Sequence, residues 1–281
     1  MTETTTANPE LLADQVSSLL VQPLEAASVV LSSGPRIFDT SGVLRIPKLV
    51  SGATVGFVGE GGLIPDDADV DFDELVLMPT ERKSIKTILK YTDELVRQSV
   101  IGIDAVLKAR LVKDVSDALD NALLKGDGSS DSITGIIEQA NVQTDVWDPT
   151  DPDTLMDAIG LAVAAEVTPN RWFLNGADFV TLRKVKESTD SNKYVLESDL
   201  TKDATYRLFG ITVQVSNKVP QGTAILADMS QVAIARDVAP SVKVLTERYA
   251  EYGMIGLRVQ CRYDLGLLHP EGVIVLGGSG S

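Results

Sequence analysis

Apolar residues at spacings of three and four from Ile103 through Leu107, Leu111, Val115, Ala118 and Ala122 predict one long helix over 103–125. Lys125 suits its end, and Gly126 is expected to supply a left-handed stop. At 1.5 Å per residue this helix is roughly 34 Å long. Near the other end of the chain, 255–265 alternates without a break. Ile255, Leu257, Val259, Cys261, Tyr263 and Leu265 share one face; Gly256, Arg258, Gln260, Arg262 and Asp264 share the other. An eleven-residue strand spans roughly 36 Å, so helix and strand match in length and can lie on one another.

Shorter patterns fill the rest. "VLRIPKLV" (43–50), "TVGFV" (54–58), "ELVLMP" (74–79) and "SIKTILKY" (84–91) read as strands around a polar loop, a long hairpin-like projection. "DPDTLMDAIGLAVAAE" reads as a helix, "RWFLN" as a strand, and Asn175 as the cap of the helix "GADFVTLRKVKES". Four apolar runs follow, "GITVQVS", "TAILAD", "VAIAR" and "SVKVL". Together they form an α+β unit that interrupts the helix-and-strand unit. Before residue 35, "NPELLADQVSSLL" and "LEAASVVL" cannot bury their apolar faces alone, so this arm must lie on something.

Composition narrows the chemistry. The chain has 281 residues and a net charge of −15, which argues against a surface built to grip nucleic acid. No apolar run approaches the roughly 20 residues that cross a bilayer, and the first residues lack a signal-peptide pattern, so folding in a cytoplasm is expected. One cysteine excludes an internal disulfide, and His269, the one histidine that could serve a nucleophile as base, reads as a strand end before a turn. No catalytic constellation emerges.

Charge is unevenly placed. Residues 51–80 hold seven acids and no Lys or Arg, while 81–113 hold eight bases and four acids. The run "PDDADVDFDE" (65–74) follows the glycine-rich "GFVGEGGL" and invites a metal or phosphate reading. Asp67, Asp69 and Asp71 fit the first positions of a calcium loop, but Phe72 replaces its glycine and Met78 its closing glutamate. The glycines spell neither phosphate-loop pattern, and the acids would repel the anion. Neither metal nor cofactor is expected. The acidic stretch is either a solvated loop or a partner for the bases, within the fold or on a neighbouring copy.

Four stretches in order carry a resemblance: "NRWFLNGADFVTLRKVKES" with "KYVLES" after it, "YRLFGITVQVSNKVPQG", "TAILADMSQVAIARD", and "RVQCRYDLGLLHPEGVIVL". Over about 35–278 the chain resembles the major capsid proteins of tailed double-stranded DNA bacteriophages. The resemblance implies an α+β shell protein with an N-terminal arm (1–35) and an extended loop (51–82) reaching over a neighbour. It implies a peripheral domain (36–50, 83–139 and 239–267, with 103–125 as spine helix) and an axial domain (140–238 and 268–281). It implies an icosahedral shell of hexamers and pentamers in the virion, assembled in the host cytoplasm. A portal and a separate scaffolding protein are the expected partners, with packaged DNA touched weakly and no membrane.

Some relatives weld subunits through an extended-loop lysine. No lysine lies between Lys48 and Lys83, so a non-covalent grip is expected. The loop acids Glu60, Asp66, Asp67, Asp69, Asp71 and Asp73 are expected to face Arg82, Lys83, Lys86, Lys90 and Arg97 of a neighbour. An encapsulin shell of the same fold, or a soluble acidic binding or catalytic domain, are the alternatives.

Overall fold

The computed structural model describes residues 28–51, 57–60, 71–79, 84–92, 103–186, 206–245 and 247–277. The expected arm helix from Asn8, Asp66, Asp67, Asp69, Arg82, Lys83 and Arg97 lie outside them.

Twelve strands and three α-helices are described. In order they are β1 (Arg36–Asp39), β2 (Leu44–Ser51), β3 (Asp71–Leu77), β4 (Ile85–Thr92) and α1 (Ile103–Lys125). Then come β5 (Gln143–Asp145), α2 (Asp153–Ala164), β6 (Arg171–Leu174), α3 (Gly176–Arg183), β7 (Arg207–Leu208) and β8 (Ile211–Val215). The last are β9 (Thr223–Ala227), β10 (Val232–Leu245), β11 (Met254–Leu267) and β12 (Val273–Gly277). They build a four-stranded sheet in the order β1-β10-β11-β4, a six-stranded sheet β5-β12-β9-β6-β8-β7, and the hairpin β2-β3.

The long helix and the long strand share one core. Leu111, Val115, Leu119 and Leu123 of α1 cluster with Leu257, Val259, Cys261 and Tyr263 of β11. Each such side chain contributes roughly 1.5–3 kcal/mol by leaving water. The buried face is turned slightly from the expected one: Ala118 is exposed, and Leu119, Asp120 and Leu123 lie inside. Larger leucines bury more area than alanines, so they set the rotation of the helix.

Gly126 is not left-handed; that conformation belongs to Gly128, at φ 69°. Gly126 is required for another reason. A Cβ there would stand 2.2 Å from the Ile133 carbonyl oxygen and 2.5 Å from that of Ala122. The chain folds back against the helix end, and the Gly135 N–H donates to the Gly126 carbonyl at 2.7 Å.

The six-stranded sheet is covered on both faces, and alternation sorts its side chains. Trp172, Leu174, Leu226, Ile274 and Leu276 pack under α2 and α3. Phe173, Ile225, Ala227, Val273 and Val275 face the other way and join the α1–β11 core. α3 starts as expected, with Asn175 Oδ1 accepting the Ala177 N–H at 2.9 Å.

Two expectations change. "VAIAR" and "SVKVL" are one strand, β10, which absorbs Pro240 through register shifts between Arg236 and Ser241. The boundary expected at 238 therefore falls inside a strand. Phe57 and Val58, read as strand, lie in no strand, and Phe57 is fully exposed.

The hairpin docks its base on the second face of the four-stranded sheet, where Leu77 and Met78 pack with Ala233, Ala235 and Leu268. A Cβ on Gly266 would meet the Leu75 and Leu77 side chains at 2.9 and 2.7 Å, so the small residue admits the hairpin. Buried Asp264 accepts the Met78 N–H at 2.7 Å, holding Met78 at a positive φ of 57°. β1 is tied on by Arg236, whose Nε and Nη2 reach Asp39 at 2.6 and 3.0 Å.

Cys261 is fully buried in the α1–β11 core, and burial pushes its thiol up to about 12. A thiol reagent at pH 8 is expected to leave the native chain unlabelled and to label one site per chain in denaturant. Rapid labelling of the native chain would contradict this core.

Candidate subunit-contact surfaces

The hairpin pairs Lys48 with Asp73 directly across its ladder, and sets Arg45 diagonally to Glu74. Lys48 Nζ lies 3.1 Å from Asp73 Oδ2, and Arg45 bonds Glu74. Exposed cross-strand charges of this kind favour the ladder's register more than they add to stability. The Glu74 N–H and then Lys48 hold the Asp73 carboxyl below the usual carboxylate range. A depressed carboxylate lends its stability above the ordinary value of 3.8, and loses it as pH falls through the lower folded value. The hairpin's charge pairing is thus intact at neutral pH.

Of the six acids expected at subunit contacts, Asp73 is therefore engaged by its own chain. Glu60 is exposed; Asp71 sits on β3, its backbone alone described. Arg45 and Lys48 were missed as intrachain partners, because only the hairpin register reveals them.

Among the expected bases, Lys86 and Lys90 lie exposed on edge strand β4. Register places Lys86 beside Gln260, Ile88 beside Arg258, and Arg258 beside Lys243. Lys86, Lys90, Lys243 and Arg258 are all exposed, and with exposed Arg248 they make a basic surface on this sheet. No carboxylate of the described residues forms an ion pair with any of the five. Tyr249 crosses the surface, its ring 4.6 Å from Lys90 Nζ. It lies against Gly256, where a Cβ would come within 2.8 Å of the ring. Lys243, Arg248 and Arg258 went unnoticed in the sequence because they stand far from the acidic run along the chain.

A second charged group joins parts of the chain. Asp120, fully buried on α1, accepts from Ser28 Oγ and from the Val29 and Val30 N–H groups at 2.9 and 3.3 Å. Lys218, in the turn between β8 and β9, reaches Asp120 at 2.8 Å and Asp117 at 2.7 Å. Burial pulls the Lys218 pKa down, but hydrogen bonds to Asp117 and Asp120 outweigh it and raise the group above its usual 10.5. A raised lysine lends its stability below the ordinary value and loses it only as pH climbs through the raised one. The link holds throughout neutral conditions. Residues 28–30, the long helix and the turn between β8 and β9 meet at this carboxylate.

Among the described residues no group of His, Cys, Asp and Glu is placed to hold a metal ion, and no helix is long and apolar enough to cross a membrane.

The described residues form two sheets around a long core helix, with a docked hairpin and exposed charge of both signs. The model of the Phage capsid family matches residues 10–278, and the chain belongs to that family. The capsid chain of a native GTA particle superposes with a TM-score of 0.74 at 15% identity, over 89% of each chain. A chain of Microbacterium phage Oxtober96 gives 0.74 at 18% identity, over 89% of this chain and 90% of that one. A chain of Mycobacterium phage Bobi gives 0.68 at 20% identity, over 90% and 91%. No curated protein matches. The fold is that of phage major capsid proteins, and the family assigns a structural role: a capsid protein that forms the shell of a virion.

Proposed function

We propose that this chain forms an icosahedral shell around double-stranded DNA, held by non-covalent contacts in which each acidic hairpin lies over the basic sheet face of a neighbour. The observation that carries the reading is that face: Lys86, Lys90, Lys243, Arg248 and Arg258 are exposed and lack carboxylate partners among the described residues. The hairpin segment supplies seven acids, of which Asp73 and Glu74 are paired within the chain. Opposite charge brings the surfaces together and fixes their register. Exposed Phe57 adds an apolar contact at the same segment.

The division into arm (1–35), extended loop (51–82), peripheral domain and axial domain carries over with one change: β10 is assigned whole to the peripheral sheet. A scaffolding protein and a portal are further proposed partners, and assembly is placed in the host cytoplasm. With a net charge of −15 the chain leaves packaged DNA loosely held.

With no lysine between Lys48 and Lys83, the loop tip has no amine for an isopeptide bond. Particles boiled in denaturing detergent are expected to run as a single band at the chain's 30.1 kDa. A ladder of multimers would overturn the non-covalent reading.

A further inference from the structure

Two local costs meet where the hairpin leaves the four-stranded sheet. Met78, buried and carrying a side chain, holds a positive φ of 57°, a backbone state that favours glycine. Nearby, Arg262 Nε is buried with no acceptor among the described residues. Each feature costs stability where it stands, and such departures gather at functional sites.

A polar frame built on one β-bulge surrounds them. The register of β10 against β11 shifts between Arg236 and Val238, so Asp237 is an extra residue, and bulges re-aim side chains. The two neighbours in this bulge serve the two legs of the hairpin. Arg236 pairs with Asp39 at the end of β1, and its carbonyl accepts the Thr40 N–H at 2.9 Å, fixing the leg that leads into β2. Asp237 Oδ2 accepts from Arg262 Nη1 at 2.9 Å, and Arg262 Nη2 donates to the Pro79 carbonyl at 3.2 Å. Asp264, two residues along the same face of β11, takes the Met78 N–H. The leg that leads out of β3 is thereby held at two consecutive residues.

We infer that Asp237, Arg262 and Asp264 are positioning residues for the subunit contact: they fix the angle at which the hairpin leaves its own sheet. Packing alone does not fix that angle. Leu75, Leu77 and Met78 rest on Gly266, Ala233 and Ala235, small residues over which a hairpin can tilt. Hydrogen bonds are directional, so a tilt breaks them. The eight residues of β2 make a lever roughly 25 Å long, and a tilt of about 15° at its base moves the far end by about 6 Å. That exceeds the reach of a side-chain contact. The inference rests on the reading that the hairpin grips a neighbour, and adds what aims it.

Spin-label distances test the aim, and particle yield tests its use. Unassembled full-length chains carry Glu74→Cys on the hairpin and Lys113→Cys on α1, both exposed, while buried Cys261 stays unlabelled. Asp237→Ala combined with Arg262→Met removes both charges together, so neither is left half-buried alone. This pair is expected at least to double the width of the distance distribution. Made without labels beside the phage's own assembly proteins, it is expected to lower shell yield more than tenfold. Unchanged thiol protection of Cys261 checks that the chain is folded. Arg262→Lys keeps the charge but loses the fork that spans Asp237 and Pro79. It is expected to broaden the distribution to a smaller degree, and it decides the matter if the two-site variant does not fold. An unchanged width in a folded variant, whatever its yield, would overturn the inference. So would a broadened width with wild-type yields, and either result leaves the shell reading standing. Absence of shells from the unaltered chain would instead sink that reading.

Discussion

Asp120→Ala is expected to lower the melting temperature by roughly 6–12 °C, for a loss of about 3 kcal/mol. The carboxylate is fully buried and accepts from the Ser28 hydroxyl, two backbone N–H groups and Lys218. Alanine leaves those donors without their acceptor, and an unmade buried hydrogen bond costs more than a made one contributes. Lys218 keeps Asp117 at 2.7 Å, which limits the loss. Lys218→Met is expected to cost less, because its side chain is partly exposed and its methylenes are retained in kind. A double-mutant cycle separates the pair: a coupling energy above about 0.5 kcal/mol marks a direct bond. Additive losses would mean that Asp120 acts only through residues 28–30. Proteolysis gives a second readout, since freeing those residues from α1 should speed cleavage near them.

The triple variant Lys86→Glu, Lys90→Glu and Arg258→Glu is expected to fold and yet to form no particles. The three side chains are exposed, and surface changes of this kind move stability by about 0.5 kcal/mol each. Assembly is another matter. Each copy would then offer an acidic face to an acidic hairpin, and like charges brought together cost several kcal/mol per contact. The contact recurs at every copy, so the penalty accumulates over the shell. Reversing Asp69, Asp71 and Asp73 is expected to impair assembly too, but that experiment is less clean. Asp73 faces Lys48 across the hairpin, so its reversal also disturbs the hairpin itself. Restoration of particles when both reversals are combined would place the two surfaces in contact. Normal particles from either reversal alone would remove the electrostatic grip from the account.

Periodicity was most informative where one face of an element is buried and the other is not. The bounds 103–125 and the face of β11 that carries Leu257 to Leu265 were readable for that reason. The outer face of β11 was harder to read. Asp264 looks solvent-facing by alternation, yet the hairpin covers it, and only the fold shows Leu75 and Leu77 pressed against Gly266. Pro240 hid the continuity of β10, since proline normally ends a strand and a bulge is invisible in residue type. Lysines at 86 and 90 were legible as candidates because they follow the acidic run closely. Lys243, Arg248 and Arg258 join them only through strand pairing over more than 150 residues of chain. Asp120 was hidden for a similar reason: an aspartate in a helix reads as solvated until Lys218 and Ser28 are brought to it.

The central claim is that copies of this chain tile a closed shell. Electron microscopy of particles purified from cells making the chain with its phage's assembly proteins tests it most directly. The account predicts closed icosahedral shells whose repeating unit is this fold. A protein that stays monomeric or dimeric under the same conditions, with no shells in the micrographs, would contradict it.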